Sequence, residues 1–291
     1  MRKTSLIQLH AAVFLWGFTG VLGRLISLNE GLLVWYRMLI TIITLFLIMW
    51  KQGEIERLPR KTIAQLFLIG GILALHWVFF YGAIKVANIS ITLICLSSSG
   101  LITALLEPFI VGSKFSFKEI ALSLMGIVGI YLIFHFDSKY QKGIIIAMIA
   151  AFLSVVFSVL NKRIINNVSS KSMMLYELTG GWLILTLLMP FYLKSFPSIS
   201  LFPSSLDWCW LLILSWACTV LAMDLSLKAL RHQSVFTQNL TLNLEPVYGI
   251  ILAFIVFKEN KNLNASFYVG FGLIALSVAF QMIRVLHYKK H

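Results

Sequence analysis

The chain has 291 residues, 59% of them hydrophobic and 12% charged, and a net charge of +13. A soluble domain carries about twice that charged fraction, so a soluble globular enzyme is excluded. Nucleic-acid binding would need an exposed domain with stacking aromatics, and no stretch is left for one once the apolar segments are assigned.

A transmembrane helix needs roughly 20 mostly apolar residues. Ten such segments are predicted, near 5–26, 31–50, 62–84, 90–112, 119–136, 143–161, 172–193, 207–227, 234–257 and 264–286. The predicted fold class is all-α, a polytopic membrane protein with ten transmembrane helices. The first segment is not read as a cleavable signal: it is too long, keeps Trp16 and Arg24, and lacks an Ala-x-Ala pattern.

Lipid tails satisfy no polar group, so polar residues within spans face the bundle or a wet cavity. Span one carries Trp16, Thr19, Gly20 and Gly23 on one face. Span two holds Arg37 about two turns from its outer end, in line with Thr41 and Thr44; snorkelling to the interface is the leading reading, a pathway residue the alternative. His76 lies deep in span three beside Trp77, Phe79 and Phe80, either as a packed neutral histidine or as a ligand-facing group. Span four aligns Thr92, Ser99, Thr103 and Glu107, next to the run Ser97-Ser98-Ser99-Gly100. Span five has Gly126 and Gly129. Span six carries Ser154, Ser158 and Asn161, and span seven has Glu177 near its inner end. In span eight Asp224 precedes Lys228 by one turn and is expected to pair with it. Span nine aligns Gln238, Thr241, Glu245 and Tyr248, with Asn239 and Asn243 nearby. Pro246 lacks an amide hydrogen and loosens the preceding turn. Span ten has Gly270 and Gly272; small residues on spans five and ten suit close approach of neighbouring helices or of a second copy.

The connectors hold the basic residues. With the N-terminus inside, 16 Lys and Arg fall on the inner side and 7 on the outer, with Arg37 left within a span. That bias predicts both termini in the cytoplasm.

The two halves repeat. At an offset of 138, AVFLWGFTGVLGR (12–24) faces AAFLSVVFSVLNK (150–162). At 140, Tyr36-Arg37 meets Tyr176-Glu177. At 145, Thr92 meets Thr237 and FIV (109–111) meets FIV (254–256). Five helices per half is an odd number, so the second half enters from the opposite side, an inverted repeat of the kind found in secondary transporters. The expected units are 1–136 and 143–286, with 287–291 a short basic cytoplasmic tail. Offset 138 pairs Glu107-Pro108 with Glu245-Pro246; offset 145 sets Glu245 opposite Gly100 and is favoured, because it aligns both ends of spans four and nine.

Catalytic signatures are absent: no His-Glu-x-x-His, Gly-x-Ser-x-Gly, Walker loop or dinucleotide fingerprint. Cys95, Cys209 and Cys218 lack metal-ligand spacing and are read as packing residues. Neither a cofactor nor a metal is expected.

The segments LWGFTGVLGR, LVWYRMLIT, TALLEPFIVGSKFSFKEI with GIVGIYLIF, and LEPVYGIILAFIVFKE together resemble the EamA-type family of the drug/metabolite transporter superfamily, over essentially the full chain. The resemblance implies a carrier of the bacterial cytoplasmic (inner) membrane, often an exporter, with spans one to four and six to nine around a central cavity and five and ten outside it. Where many members close span nine with Gly-Glu, this chain has Phe257-Lys258-Glu259.

The reading is a secondary transporter of small metabolites, not an enzyme. Its partners are a small-molecule substrate and the bilayer, with a homodimer as a further expectation and no nucleic acid. A membrane-embedded enzyme on lipid-linked groups would need clustered acid, base or metal ligands; a non-transporting scaffold would have no wet cavity. The candidate cavity residues are Trp16, Gly20, Arg37, His76, Trp77, Ser99, Thr103, Ser158, Gln238, Asn243 and Glu245, with Glu245 the candidate for proton coupling.

Overall fold

The computed structural model describes residues 2–112, 117–136, 138–195, 200–233, 235–242 and 244–288. Among them the chain is helical, with no strand. Seven stretches are long and apolar enough to cross a membrane: Thr4–Leu25, Glu30–Gln52, Arg60–Val86, Ile89–Val111, Ser138–Ile164, Ser170–Ser195 and Ser205–Leu230. They correspond to predicted spans one to four and six to eight. The other three predicted spans contain α7 (Phe117–Phe136), the pair α12 (Val235–Leu242) and α13 (Glu245–Phe257), and α14 (Ala265–Tyr288).

Several segments are interrupted. The first is α1 (Arg2–Gly17) and α2 (Thr19–Leu25), separated at Phe18. The fourth is α5 (Ile89–Leu96) and α6 (Ser99–Val111), separated at Ser97-Ser98. The turn tightens there, with Ser97 and Ser98 donating to the carbonyls of Ile94 and Cys95 at 3.0 and 3.1 Å. The ninth breaks before Glu245-Pro246, where the proline at the second position of α13 brings no amide hydrogen. Ser98 and Leu244, which precede α6 and α13, are 146 positions apart. The helix breaks thus agree with the 145 offset to within one residue, and Glu107 lies about two turns beyond the break in its own helix.

Helix ends follow local chemistry. Asn29 and Asn88 cap α3 (Glu30–Gln52) and α5 by accepting from Gly31 N and Ile91 N. Ser204 and Asp207 form a capping box on α10 (Ser205–Ser215). Gly53 and Gly112 end α3 and α6 with positive φ. Lys258 ends α13 the same way, at φ 54°. The helix-end turn is therefore kept although the family's glycine is absent.

α4 (Arg60–Val86) is central, packed on α8 (Gln141–Ile164) and α9 (Ser170–Ser195). α3 lies against α9 and α10, and α1 against α11 (Ala222–Leu230). The broken fourth and ninth segments face each other, α13 on α5 and α12 on α6. α7 and α14 pair with each other, and a Cβ on Gly129 would stand 2.6 Å from the Gly270 carbonyl oxygen. Gly129 and Gly270 are thus used within the chain, whereas Gly272 meets nothing within 4 Å.

Candidate functional site

Both ends of the bundle are tied by polar contacts. At one end Glu259 accepts from Ile89 N, Ser90 N and Ser90 Oγ at 3.1, 3.0 and 2.6 Å and pairs with Arg24. Asp207 there accepts from Ser27 N and Oγ at 2.7 and 2.6 Å. At the other end Lys162 Nζ donates to the carbonyls of Leu230 and Gln233 at 2.6 and 2.7 Å, and Tyr176 donates to the Glu56 carbonyl at 2.8 Å.

Between these ends lies a cavity with about 90 Å³ open to the centres of water molecules. One water needs about 10–15 Å³ on that measure, so there is room for several. Its polar lining is Thr19, Arg37, His76, Ser99, Ser154, Ser158 and Glu245; its aromatic lining is Trp16, Trp77, Phe80 and Phe157; Leu73, Leu96, Met223, Leu242 and Pro246 complete it. Thr19, Ser99 and Glu245 share a feature: each is the first residue after a helix interruption.

Arg37 is 1% exposed. The snorkelling reading is overturned, because its guanidinium is held inside the bundle. Nε donates to Thr219 Oγ1 at 2.8 Å and Nη1 to the Tyr81 hydroxyl at 2.8 Å, while the group stacks 3.7 Å above the Trp77 ring. A π-helical turn at Trp216–Leu221 makes part of this possible. Such a turn displaces the backbone ladder, and the Cys218 carbonyl accepts from Trp16 Nε1 at 3.0 Å and from Arg37 Nη2 at 3.5 Å.

The Glu245 carboxyl shares the cavity wall with Thr19, whose hydroxyl donates to the Trp16 carbonyl at 2.6 Å, and with Arg37. Glu245 and Arg37 form no ion pair among the described residues. A carboxyl and a guanidinium therefore share one water-sized space without cancelling each other at contact. His76 is both packed and cavity-lining. Its Nδ1 lies 2.8 Å from the Ala150 carbonyl, which can only accept, so Nδ1 carries hydrogen and Nε2 is left free for another contact. Its ring stacks on Phe80. Ser158 lines the cavity while donating to the Ser154 carbonyl at 3.0 Å.

Trp16, Arg37, His76, Trp77, Ser99, Ser158 and Glu245 are thus brought together. Gly20, Thr103 and Gln238 are not among the lining residues. Gly20 serves packing, since a Cβ there would stand 2.9 Å from Ile89 Cγ2. Thr103 turns back on its own helix and donates to the Ser99 carbonyl at 2.7 Å. Gln238 donates to Ser226 Oγ at 2.9 Å. Asn243 lies outside the described residues. Phe157, Leu73, Phe80, Leu96, Met223 and Leu242 were not expected: an apolar residue that faces a cavity reads like one that faces lipid. Thr19, Ser154 and Pro246 stood on or beside the polar stripes and could have been found by following each stripe through its helix break.

Asp224 pairs with Lys228 at 2.5 Å, as expected. Cys95 and Cys218 are buried and Cys209 exposed, all as free thiols. Among the described residues no three His, Cys, Asp or Glu side chains cluster to hold a metal.

An all-helical membrane protein with a small charged cavity between two tied ends has the form of a carrier. The model of the EamA-like transporter family matches residues 3–135 and again 141–282. The chain belongs to the EamA-like transporter family. It is also similar to a protein of known crystal structure, with TM-score 0.72 and 18% identity over 98% of this chain and 99% of the other; that likeness concerns the fold. No curated protein matches the chain.

Proposed function

We propose that the chain is a secondary transporter, working as an exporter, that moves small polar or amphipathic metabolites across the bacterial cytoplasmic membrane by alternating access of the central cavity. It has ten spans in two inverted five-helix units, 1–136 and 143–286, a short basic tail at 287–291, and both termini in the cytoplasm. The observation that carries the reading is the joint presence of Arg37 and Glu245 on one cavity, roomy enough for several waters, without an ion pair among the described residues. Had they paired, their charges would be spent on each other; apart, each is available to a polar solute. Arg37 holds the anionic part of the substrate, and Glu245 its cationic part or a coupling proton. Trp16, Trp77, Ser99, Ser158 and His76 shape the remaining wall.

The helix interruptions support this reading, since discontinuous helices near the bilayer midplane form the binding sites of many carriers. The test is a metabolite screen in sealed proteoliposomes, followed in both directions. Saturable counterflow of at least one small metabolite, lost in Glu245→Ala, is the expected result. Equal fluxes in protein-containing and empty vesicles across the screen would overturn the carrier reading.

A further inference from the structure

Glu177 stands apart from the central cavity. It lies on α9, is 0% exposed, and neither carboxyl oxygen has a hydrogen-bond partner among the described residues. Asn161 on α8 is the polar side chain that interacts with it. Asn161 is also 0% exposed, and its own amide nitrogen and oxygen make no bond of ordinary geometry. Two fully buried polar groups, each with open bonding capacity, thus meet between helices.

The backbone beside them is sealed by glycine. A Cβ on Gly70 of α4 would come within 1.7 Å of the Glu177 carbonyl oxygen, and one on Gly181 within 2.3 Å of the Gly70 carbonyl oxygen. α4 and α9 therefore touch main chain to main chain at Glu177, and the seam admits no water there. Among the described residues no fixed charge compensates the carboxyl. The helices packed on α9 are α3, α4 and α11. Their ionisable groups are turned elsewhere: Glu30 accepts from Tyr192, Arg37 meets Thr219 and Tyr81, His76 meets the Ala150 carbonyl, Lys85 the Leu28 carbonyl and Asp224 Lys228, while Lys51, Arg60 and Lys61 are exposed. Lys162 of α8 holds the Leu230 and Gln233 carbonyls, and Lys171 of α9 holds Glu54. An uncompensated carboxylate in such a place costs several kcal/mol. A neutral acid beside an amide costs less, because it carries no charge to desolvate and each group can donate and accept.

We propose that Glu177 with Asn161 is a proton-binding site, distinct from the central cavity: the carboxyl is protonated while the α4–α9 seam is closed and gives its proton to entering water when the seam parts. The parting of the seam rests on the alternating-access reading; the protonation does not. A metal ion fits poorly, because the two side chains offer three oxygens where hard cations take about six or more. At the repeat offset of 140, Glu177 answers to Arg37, so each half carries one fully buried ionisable side chain in its second span.

The test uses the full chain in lipid nanodiscs. Infrared difference spectra between wild type and Glu177→Gln at neutral pH should show the C=O stretch of one protonated carboxyl in the wild type alone, unchanged when sodium chloride replaces choline chloride. Absence of that difference overturns the proposal, and so does a band abolished by sodium, which would mark a cation site. Backbone hydrogen exchange over 66–74 and 176–184 should rise on alkalinisation about tenfold beyond the intrinsic rate in wild type and not in Glu177→Gln. Equal rises in both would overturn release through the seam. Glutamine copies the shape and bonding of the protonated acid, so failure of Glu177→Gln to fold would also count against the proposal. None of these readouts needs a transported solute: a failed metabolite screen alongside them would strike the carrier reading alone.

Discussion

Ser99 and Glu245 occupy the same place in two different helices. Each is the first residue after a break, at the start of α6 and α13, and both line the central cavity. One is a small hydroxyl and the other a carboxyl, so the two halves of the site are alike in geometry and unlike in charge. Glu245→Gln keeps shape and hydrogen bonding but removes the titratable group. It should bind substrate and lose the dependence of flux on a pH gradient, while Glu245→Ala loses flux altogether. Unchanged pH dependence of counterflow in Glu245→Gln would remove proton coupling from this residue.

Arg37 should be structural as well as functional. Arg37→Lys gives up the fork that meets Thr219 and Tyr81 and the stacking on Trp77. A loss of about 2–4 kcal/mol is expected, read as earlier thermal aggregation of the purified protein. A variant as stable as wild type would show that a point charge suffices.

The outer surface of α7 and α14 discriminates between glycines. Gly129→Ala and Gly270→Ala place a methyl against the facing carbonyl oxygens, 2.6 and 2.5 Å away, and should destabilise by about 1–3 kcal/mol. Gly272 faces open space, and Gly272→Ala should be neutral or gain about 0.5–1 kcal/mol. Equal melting temperatures for all three variants would refute the close crossing.

The turn after α13 separates backbone strain from capping. Lys258 takes a left-handed conformation that favours glycine, so Lys258→Gly should stabilise by about 0.5–1 kcal/mol. Glu259→Ala should destabilise by about 1–2 kcal/mol, because it strips the start of α5 of its acceptor. Thermal unfolding of the two variants should move in opposite directions.

Topology is checked by reporter fusions. A fusion at Arg60 should read cytoplasmic and one at Lys139 external, following the charge bias of the connectors. A Lys139 fusion that reads cytoplasmic refutes the proposed orientation.

Much of this was legible from residues alone. Apolar length located the helices because a span needs a fixed number of them, and Pro246 announced the break beside Glu245. What the sequence withheld was direction. Arg37, Thr103 and Gln238 sit on similar polar stripes, yet the first turns into the cavity, the second back to its own helix and the third to Ser226. Nothing in the spacing distinguishes these outcomes, because they depend on which neighbour supplies an acceptor. The π-helical turn was equally hidden: WACTVL reads as ordinary helix, and its shift is stabilised by contacts from Arg37 and Trp16, more than 180 residues away along the chain.

The crossing of α7 and α14 has a bearing on biogenesis. Gly129 and Gly270 meet face to face although about half the chain is synthesised between them. On the proposed ten-span reading, α7 enters the bilayer with its principal mate not yet made, and its glycine face must wait in lipid or lean on a temporary neighbour. Chains halted before α14 would leave that face uncovered, a natural mark by which membrane quality control could tell an unfinished copy from a finished one.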